Sequence, residues 1–494
     1  MIFDFARRRA EIAPDRLAFT EAASGRRLTY REFDDRAERA AAVLLEHGLG
    51  PGDRVATLTL NGTAFFEILF AAARIGAIVV PLNWRLSIEE LRAIVADCAP
   101  RLIVHDAANA AMAARLPVPP LALAGYEEEV ASAPFVRHGD GAWAPEGIWY
   151  LLYTSGTTGK PKAVIQTFGM ALANYVNVVQ AIDLTSADRV LNFLPLFHTA
   201  GINLYTLPTL IAGGSVAVLP KFDVDQVMAA IAEGAVTCFF GVPTIYQAIQ
   251  QHAGFAATDL GRVRSWGCGG AALPEPLLRT FLDRFVRVCS GYGMTETGPT
   301  LCLMDAASVE SRIGSAGKPQ LLSQIRIVDA SGRTLGPGLA GEIQVRGANV
   351  TPGYWNNEAA TKAAFTADGW LRTGDVARRD ADGYVTVVDR IKDMYISGGE
   401  NVYPAEVEHA LLAHTDVLEA AVIGVVDEHW GEVGRAFVVP RAETTPDPER
   451  LRAFCRERIA AYKVPKTIQV VGDLPRTAAG KIQKHVLRTR HAGE

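Results

Sequence analysis

One ten-residue run concentrates groups able to hold an anion: Tyr153-Thr154-Ser155-Gly156-Thr157-Thr158-Gly159-Lys160-Pro161-Lys162. Its glycines let backbone N–H groups converge, while four Ser/Thr hydroxyls and two lysines add donors, a composition suited to a polyphosphate. It is not a Walker A loop, because Thr154 stands at that motif's first glycine and Pro161 at its closing Ser/Thr. A second run, Gly291-Tyr292-Gly293-Met294-Thr295-Glu296-Thr297, follows an apolar segment at 286–290. Open α/β sheets hold ligands at such strand ends. Thr295 can donate to a phosphate there, and Glu296 offers the carboxylate oxygen that Mg²⁺ takes alongside substrate oxygens. The alternative for Glu296 is a helix N-terminal charge.

Trp266-Gly267-Cys268-Gly269-Gly270-Ala271-Ala272-Leu273-Pro274 is a similar strand end, with small residues able to face a flat base. Taken singly, Asp375 in Leu371-Arg372-Thr373-Gly374-Asp375 reads as a turn former, and Arg390 is ambiguous. Lys481, in Pro475-Arg476-Thr477-Ala478-Ala479-Gly480-Lys481, reads alone as a solvated charge.

These runs need a frame. Apolar spacing predicts helices at 31–47, 65–74, 223–233 and 274–285, alternating with strands at 54–60, 76–81, 101–105, 148–152, 189–194, 236–240 and 286–290. Ser87 and Glu90 form a capping-box pattern opening a helix at 88–97. Alternation at this pace favours parallel sheets covered by helices. From about residue 313, short alternating runs broken by Gly, Pro and Asp predict a small antiparallel β unit. A last block predicts a helix at 404–414, strands at 418–426 and 433–440, and a helix at 447–461. The expected fold class is α/β: a large N-terminal domain (1–389) of stacked, mostly parallel α/β subdomains plus the β unit. A charged hinge at 390–393 and a small mobile α+β C-terminal domain (394–494) follow.

With 49 basic and 54 acidic side chains the net charge is −5, so neither nucleic acid nor an anionic membrane is an expected partner. The six cysteines contain no C-x-x-C pair, which points to reduced core thiols. The first residues lack the basic-then-apolar order of a signal peptide, and no apolar stretch approaches the roughly 18–20 residues of a membrane span. A cytoplasmic location is expected, and a homodimer is the assembly to test.

The ordered set 153–162, 291–297, Thr373-Gly374-Asp375, 389–401 and Gly480-Lys481 resembles the adenylate-forming superfamily of acyl-CoA synthetases, amino-acid adenylation domains and beetle luciferases across the whole chain. Leu194-Pro195-Leu196-Phe197-His198 and Met394-Tyr395-Ile396-Ser397-Gly398-Gly399-Glu400-Asn401-Val402-Tyr403-Pro404 resemble bacterial fatty-acyl, feruloyl and benzoate-type CoA ligases. The resemblance implies ATP, Mg²⁺ and coenzyme A as cofactors and a small carboxylic acid as substrate. It implies two steps: adenylation with release of pyrophosphate, then thioester formation with release of AMP.

By the same resemblance Thr154, Ser155, Gly156, Thr157, Thr158, Gly159, Lys160 and Lys162 shelter the departing phosphates, with Thr157 and Glu296 toward the metal. Thr295 serves the α-phosphate. Gly270, Ala271, Ala272 and Tyr292 flank adenine, Gly291 and Gly293 belong to the same cofactor site, and Asp375 accepts the ribose hydroxyls beside Arg390. Lys481 bridges acid and α-phosphate as the chief catalytic group, with His198 beside it. Lys392 is the pivot. Gly398, Gly399 and Trp430 line the pantetheine path, while Arg85 and Lys466 reach the phosphates of CoA. Val464 stands where some relatives carry a further basic residue. His198, Thr199, Phe240, Gly241, Gly269, Met294 and Pro299 line an uncharged acyl pocket. Medium or long fatty acids and aryl or phenylpropenoic acids both fit that composition. The alternative function is a stand-alone adenylation enzyme loading a carrier protein.

Overall fold

The computed structural model describes every residue except 155–160, 399, 477–481 and 492–494. Among the described residues the expected alternation produces two large sheets. One has six strands, in the order Lys162–Thr167, Ile148–Thr154, Ile78–Pro81, Arg54–Leu58, Leu102–His105 and Pro120–Ala122. All its pairings are parallel except the first, an antiparallel hairpin at the sheet edge that carries the first anion-holding run. The other has nine strands. Its central run Val288–Tyr292, Ser265–Cys268, Cys238–Gly241, Arg189–Asn192 and Ser215–Val218 is parallel.

The two sheets share one core. Helices Tyr30–Glu46 and Thr63–Arg74 pack against Val55 and Val79 of the first sheet and Phe19, Val216 and Val218 of the second. Every residue of Thr63–Arg74 is buried, as expected of a helix that is apolar nearly all round. Its two charged members need partners inside. Glu67 receives Arg36 Nε at 2.7 Å and Arg26, and Arg74 meets Asp4 at 2.8 Å and Asp34 at 2.5 Å. The expected capping box forms completely, with Ser87 and Glu90 each bonded to the other's backbone.

The predicted β unit is a four-stranded antiparallel sheet: Ser323–Val328, Gly341–Gly347, Leu371–Arg379 and Val385–Arg390. Arg390 belongs to its last strand, opposite Asp375, and the turn that follows starts at Ile391, whose N–H bonds Gly374 O. Past the turn, Val417–Asp427 and Gly431–Pro440 pair along a long hairpin, with Pro404–Leu412 packed on it. The helix expected over 447–461 stops at Arg456. Only Leu451 and Cys455 give it a buried face, and it tightens into i−3 bonding before a 3₁₀ turn at Ala461–Lys463. Five of the six cysteines are buried thiols and Cys289 is half-buried, all six of them free. Among the described residues no helix is long and apolar enough to cross a membrane.

Candidate active site

Parallel register brings three strand ends side by side: Gly241 lies opposite Cys268, and Cys268 opposite Ser290. The chain therefore turns away at Gly241, Gly269 and Gly291 on one edge of the large sheet, the expected ligand edge of such a sheet. Close approach requires glycine here. A Cβ on Gly293 would stand 1.7 Å from Pro299 O, and one on Gly269 would meet the Phe240 ring at 3.0 Å. Gly270 (φ +79°), Ala271 and Ala272 lie exposed just beyond Gly269.

The loop holding Thr295 and Glu296 is clamped by amide side chains from distant elements. Asn349 Nδ2 donates to Thr297 O (2.8 Å) and Thr300 O (3.1 Å), and Asn203 Nδ2 donates to Gly298 O (2.7 Å). Gln166, on the hairpin strand, donates to Thr295 O at 2.9 Å, and Thr351 N–H bonds Glu296 O at 2.9 Å. Glu296 sits in the first turn of a one-turn 3₁₀ segment, not on a longer helix. It is 7% exposed, and Tyr354 Oη donates to its Oε1 at 3.0 Å. Burial pushes its carboxyl above the usual range, opposed by hydrogen bonds from its own backbone and Tyr354 and by Arg390 at longer range.

Asp375, 4% exposed, receives Arg390 Nε on Oδ1 at 3.0 Å and the Tyr292 hydroxyl on Oδ2 at 2.6 Å. Burial and that carboxylate hold the Tyr292 phenol far above its ordinary range, so it stays a donor. Tyr292, Asp375 and Arg390 are thus one unit. Thr154 and Lys162 face each other at the neck of the edge hairpin, with Lys162 Nζ 5.3 Å from the Tyr354 ring. Ser155, Gly156, Thr157, Thr158, Gly159, Lys160, Gly399 and Lys481 lie outside the described residues. The neck below Lys481 is pinned: Arg476 bridges Ile482, and Gln483 N–H bonds Pro475 O.

His198 and Thr199 sit on a loop anchored by Asn61, whose Nδ2 donates to Leu194 O at 2.9 Å, and by Asn192, which donates to Gly201 O at 2.8 Å. Phe240 is buried against Gly267 and Gly269, and Tyr205 crosses it edge-on at 5.5 Å. Behind it lies a cavity of only about 10 Å³ lined by Val190, Leu194, Ala200, Leu204 and Tyr205. Met294 and Pro299 are half-buried at the same edge.

Past the turn a second cluster forms. Gly398 (φ +59°) bonds Trp430 O and lies against the Trp430 ring, which a Cβ would meet at 2.9 Å. Asp427 accepts the N–H groups of His429 and Trp430 on Oδ1 and Lys466 Nζ on Oδ2 at 2.5 Å. Those bonds hold its carboxyl down at about 2. Trp430, Gly398 and Lys466 therefore come together, whereas Arg85 stands over Trp84 (4.7 Å) beside Phe197 and the His198 loop. Lys392 is exposed. Asp389 spans the turn, accepting from Arg390 N and from Ala405 N, in the first turn of Pro404–Leu412, each at 2.7 Å. Sequence reasoning missed Tyr354, Asp427, Asp389 and the supporting asparagines. Each acts on a partner far off in the chain, and Pro352-Gly353-Tyr354-Trp355 reads locally as a turn.

The sequence matches the family described as AMP-binding enzyme over residues 6–355 and its C-terminal domain over 406–481. The chain belongs to the AMP-binding enzyme family. A feruloyl-CoA synthase of Amycolatopsis sp. is 43% identical, covering 98% of this chain and 97% of that protein. An indoleacetate–CoA ligase of Aromatoleum aromaticum is 38% identical, covering 94% and 93%. The crystal structure of ATP-bound MatB from Rhodopseudomonas palustris is 32% identical and superposes with a TM-score of 0.91 over 100% of this chain and 99% of that one. Apo MatB, with the same identity and coverage, superposes with a TM-score of 0.81.

Proposed function

We propose that this enzyme, an AMP-forming carboxylic acid–CoA ligase using ATP, Mg²⁺ and coenzyme A, takes compact aryl and phenylpropenoic acids of the feruloyl type. The observation that carries the substrate class is the Phe240 ring. Seated on Gly267 and Gly269, it lines a cavity of about 10 Å³, too small for an acyl chain. The feruloyl relative at 43% identity points the same way. Loading of a carrier protein is not favoured, since the relatives named above are CoA ligases.

In the first half-reaction a carboxylate oxygen attacks the α-phosphorus, the bond from that phosphorus to the β-bridging oxygen breaks, and pyrophosphate leaves. Positioning and preorganised charge supply most of the catalysis in such a transfer. In our reading adenine lies between Gly270-Ala271-Ala272 and Tyr292. The ribose hydroxyls bond Asp375, whose oxygens each keep a lone pair beyond those used by Tyr292 and Arg390. Thr295 serves the α-phosphate, and the hairpin from Thr154 to Lys162 covers the leaving group. Lys481 neutralises charge between acid and phosphate, with His198 orienting the acid.

Among the described residues no cluster of three or more His, Cys, Asp or Glu forms an all-protein metal cage. A single buried carboxylate, Glu296, fits Mg²⁺, which is held by one or two carboxylates plus substrate phosphates and water. When bound, the ion neutralises phosphate charge. In the second half-reaction the CoA sulfur attacks the acyl carbon, the acyl–phosphate C–O bond breaks, and AMP leaves. We assign Gly398, Gly399 and Trp430 to the pantetheine path, and Lys466 and Arg85 to CoA phosphates. The part after the turn at 391–393, with Lys392 as pivot, turns between the half-reactions relative to residues 1–390.

A panel of ferulate, coumarate, benzoate, octanoate and palmitate, read as AMP release, tests the reading. The aryl acids should give the highest kcat/KM. Phe240→Ala should lower that preference roughly tenfold, the scale on which apolar pockets discriminate. Palmitate as the best substrate of the wild type would overturn it.

A further inference from the structure

In the reading above Glu296 offers its carboxylate to the metal, and among the described residues it belongs to no cluster of three or more His, Cys, Asp or Glu. Its backbone is held by Thr351 and by Gln166 next to it, and its carboxylate is met by its own backbone N–H and by one side-chain donor. That donor is Tyr354, whose hydroxyl donates to Oε1 at 3.0 Å and leaves Oε2 for an ion. We propose that Tyr354 is a positioning residue for adenylation: its hydroxyl fixes the Glu296 carboxylate for Mg²⁺, and its ring seats Lys162 beside it. The proposal rests on the reading of Glu296 as the metal carboxylate.

The support for Tyr354 is built in. Its segment adds to the outer edge of the hairpin: Val164 bridges Tyr354, Ile165 N–H bonds Gly353 O at 3.1 Å, and Trp355 N–H bonds Ala163 O at 2.9 Å. Tyr354 N–H bonds Thr361 Oγ1 at 2.9 Å. Gly353, at φ +148°, leaves no room for a side chain against that same threonine, with Oγ1 2.6 Å from a built Cβ. The phenol is thus carried by the strand that leaves the phosphate-covering run. Lys162 Nζ lies 5.3 Å from the ring, within cation–π reach. One side chain thereby links the neck of the hairpin to the metal carboxylate, two places that the sequence separates by more than a hundred residues.

Outer-shell partners of metal ligands cost roughly 10–100-fold in metal affinity when removed. The test is calorimetric titration of ATP into full-length protein at increasing Mg²⁺, for the wild type, Glu296→Gln, Tyr354→Phe and the double variant. Tyr354→Phe keeps the ring under Lys162 and deletes the hydroxyl alone. It should raise the Mg²⁺ needed for half-maximal ATP binding roughly tenfold, with the melting temperature unchanged. The adenylation kcat should fall while KM for the acid stays put. The double variant should need no more Mg²⁺ than Glu296→Gln. Tyr354→Phe matching the wild type while Glu296→Gln demands more Mg²⁺ would overturn the proposal and leave Glu296 in its role. Glu296→Gln with an unchanged Mg²⁺ requirement would overturn both. Equal weakening of ATP binding with and without Mg²⁺, together with a lowered melting temperature, would mark Tyr354 as structural only and overturn the proposal.

Discussion

Asp4, Asp34 and Glu38 converge on Arg74 inside the shared core, and further cations finish the pairing. Arg137 reaches Asp34 at 2.6 Å, Arg7 reaches Glu38 at 2.8 Å, and His138 bonds Glu38 twice. Glu296 and Asp375 are equally buried but far less compensated. One has a tyrosine and a distant arginine, the other a tyrosine and an arginine that is itself 39% exposed. A charge buried for structure is paired until little of it is left to bind anything else. Glu296 and Asp375 keep lone pairs open toward the space where ATP and Mg²⁺ are proposed to sit. The same side-chain type is thus sorted into scaffold or site by how completely its neighbours satisfy it.

Removing a cation from the saturated group should have the largest effect. Arg74→Ala leaves three buried acids short of a partner and should cost about 3–5 kcal/mol in denaturant unfolding. The fraction still folded should keep its KM for ATP. A loss below about 1 kcal/mol would erase the contrast, since that is the scale of an exposed pair. Asp375→Asn should do the reverse. Its arginine partner is partly in water, so the melting temperature should hold. The KM for ATP should rise roughly 10- to 100-fold, the scale of a hydrogen bond to a charged group.

The smallest effect belongs to Asp427, outside both groups, where Lys466 and two N–H groups hold the turn under Trp430. Its folded carboxyl lies at about 2, below the roughly 3.9 of an unfolded aspartate. Its stabilisation is therefore present above about pH 4 and lost as pH falls through about 2. Asp427→Asn should flatten that acid limb in unfolding measurements and raise the KM for CoA a few-fold. An unchanged KM for CoA would remove the Trp430 turn from the CoA path.

The frame was legible because burial leaves a periodic trace. The run 65–74 reads as a helix and the run 148–152 as a strand from apolar spacing alone, and both form, extended to Thr63–Arg74 and Ile148–Thr154. Of the site, the residues in glycine-marked runs were legible, since glycine signals close approach at Gly293 and Gly269. The residues that aim them were not. Tyr354, Asn349, Asn203 and Asn61 act across the fold through single hydrogen bonds, and a lone tyrosine or asparagine carries no spacing signal. The overlong helix at 447–461 has a similar cause: its polar residues go on suiting a helix after the buried face has ended at Cys455.

The central claim is that the acid is activated as an adenylate at the Glu296–Asp375 edge before CoA enters. Ferulate labelled with ¹⁸O in its carboxylate, turned over with ATP, Mg²⁺ and CoA, tests it directly. Attack on the α-phosphorus predicts one ¹⁸O in the AMP released and none in pyrophosphate, with feruloyl-CoA and AMP formed one to one. Label appearing in inorganic phosphate, with ADP as the nucleotide product, would contradict it.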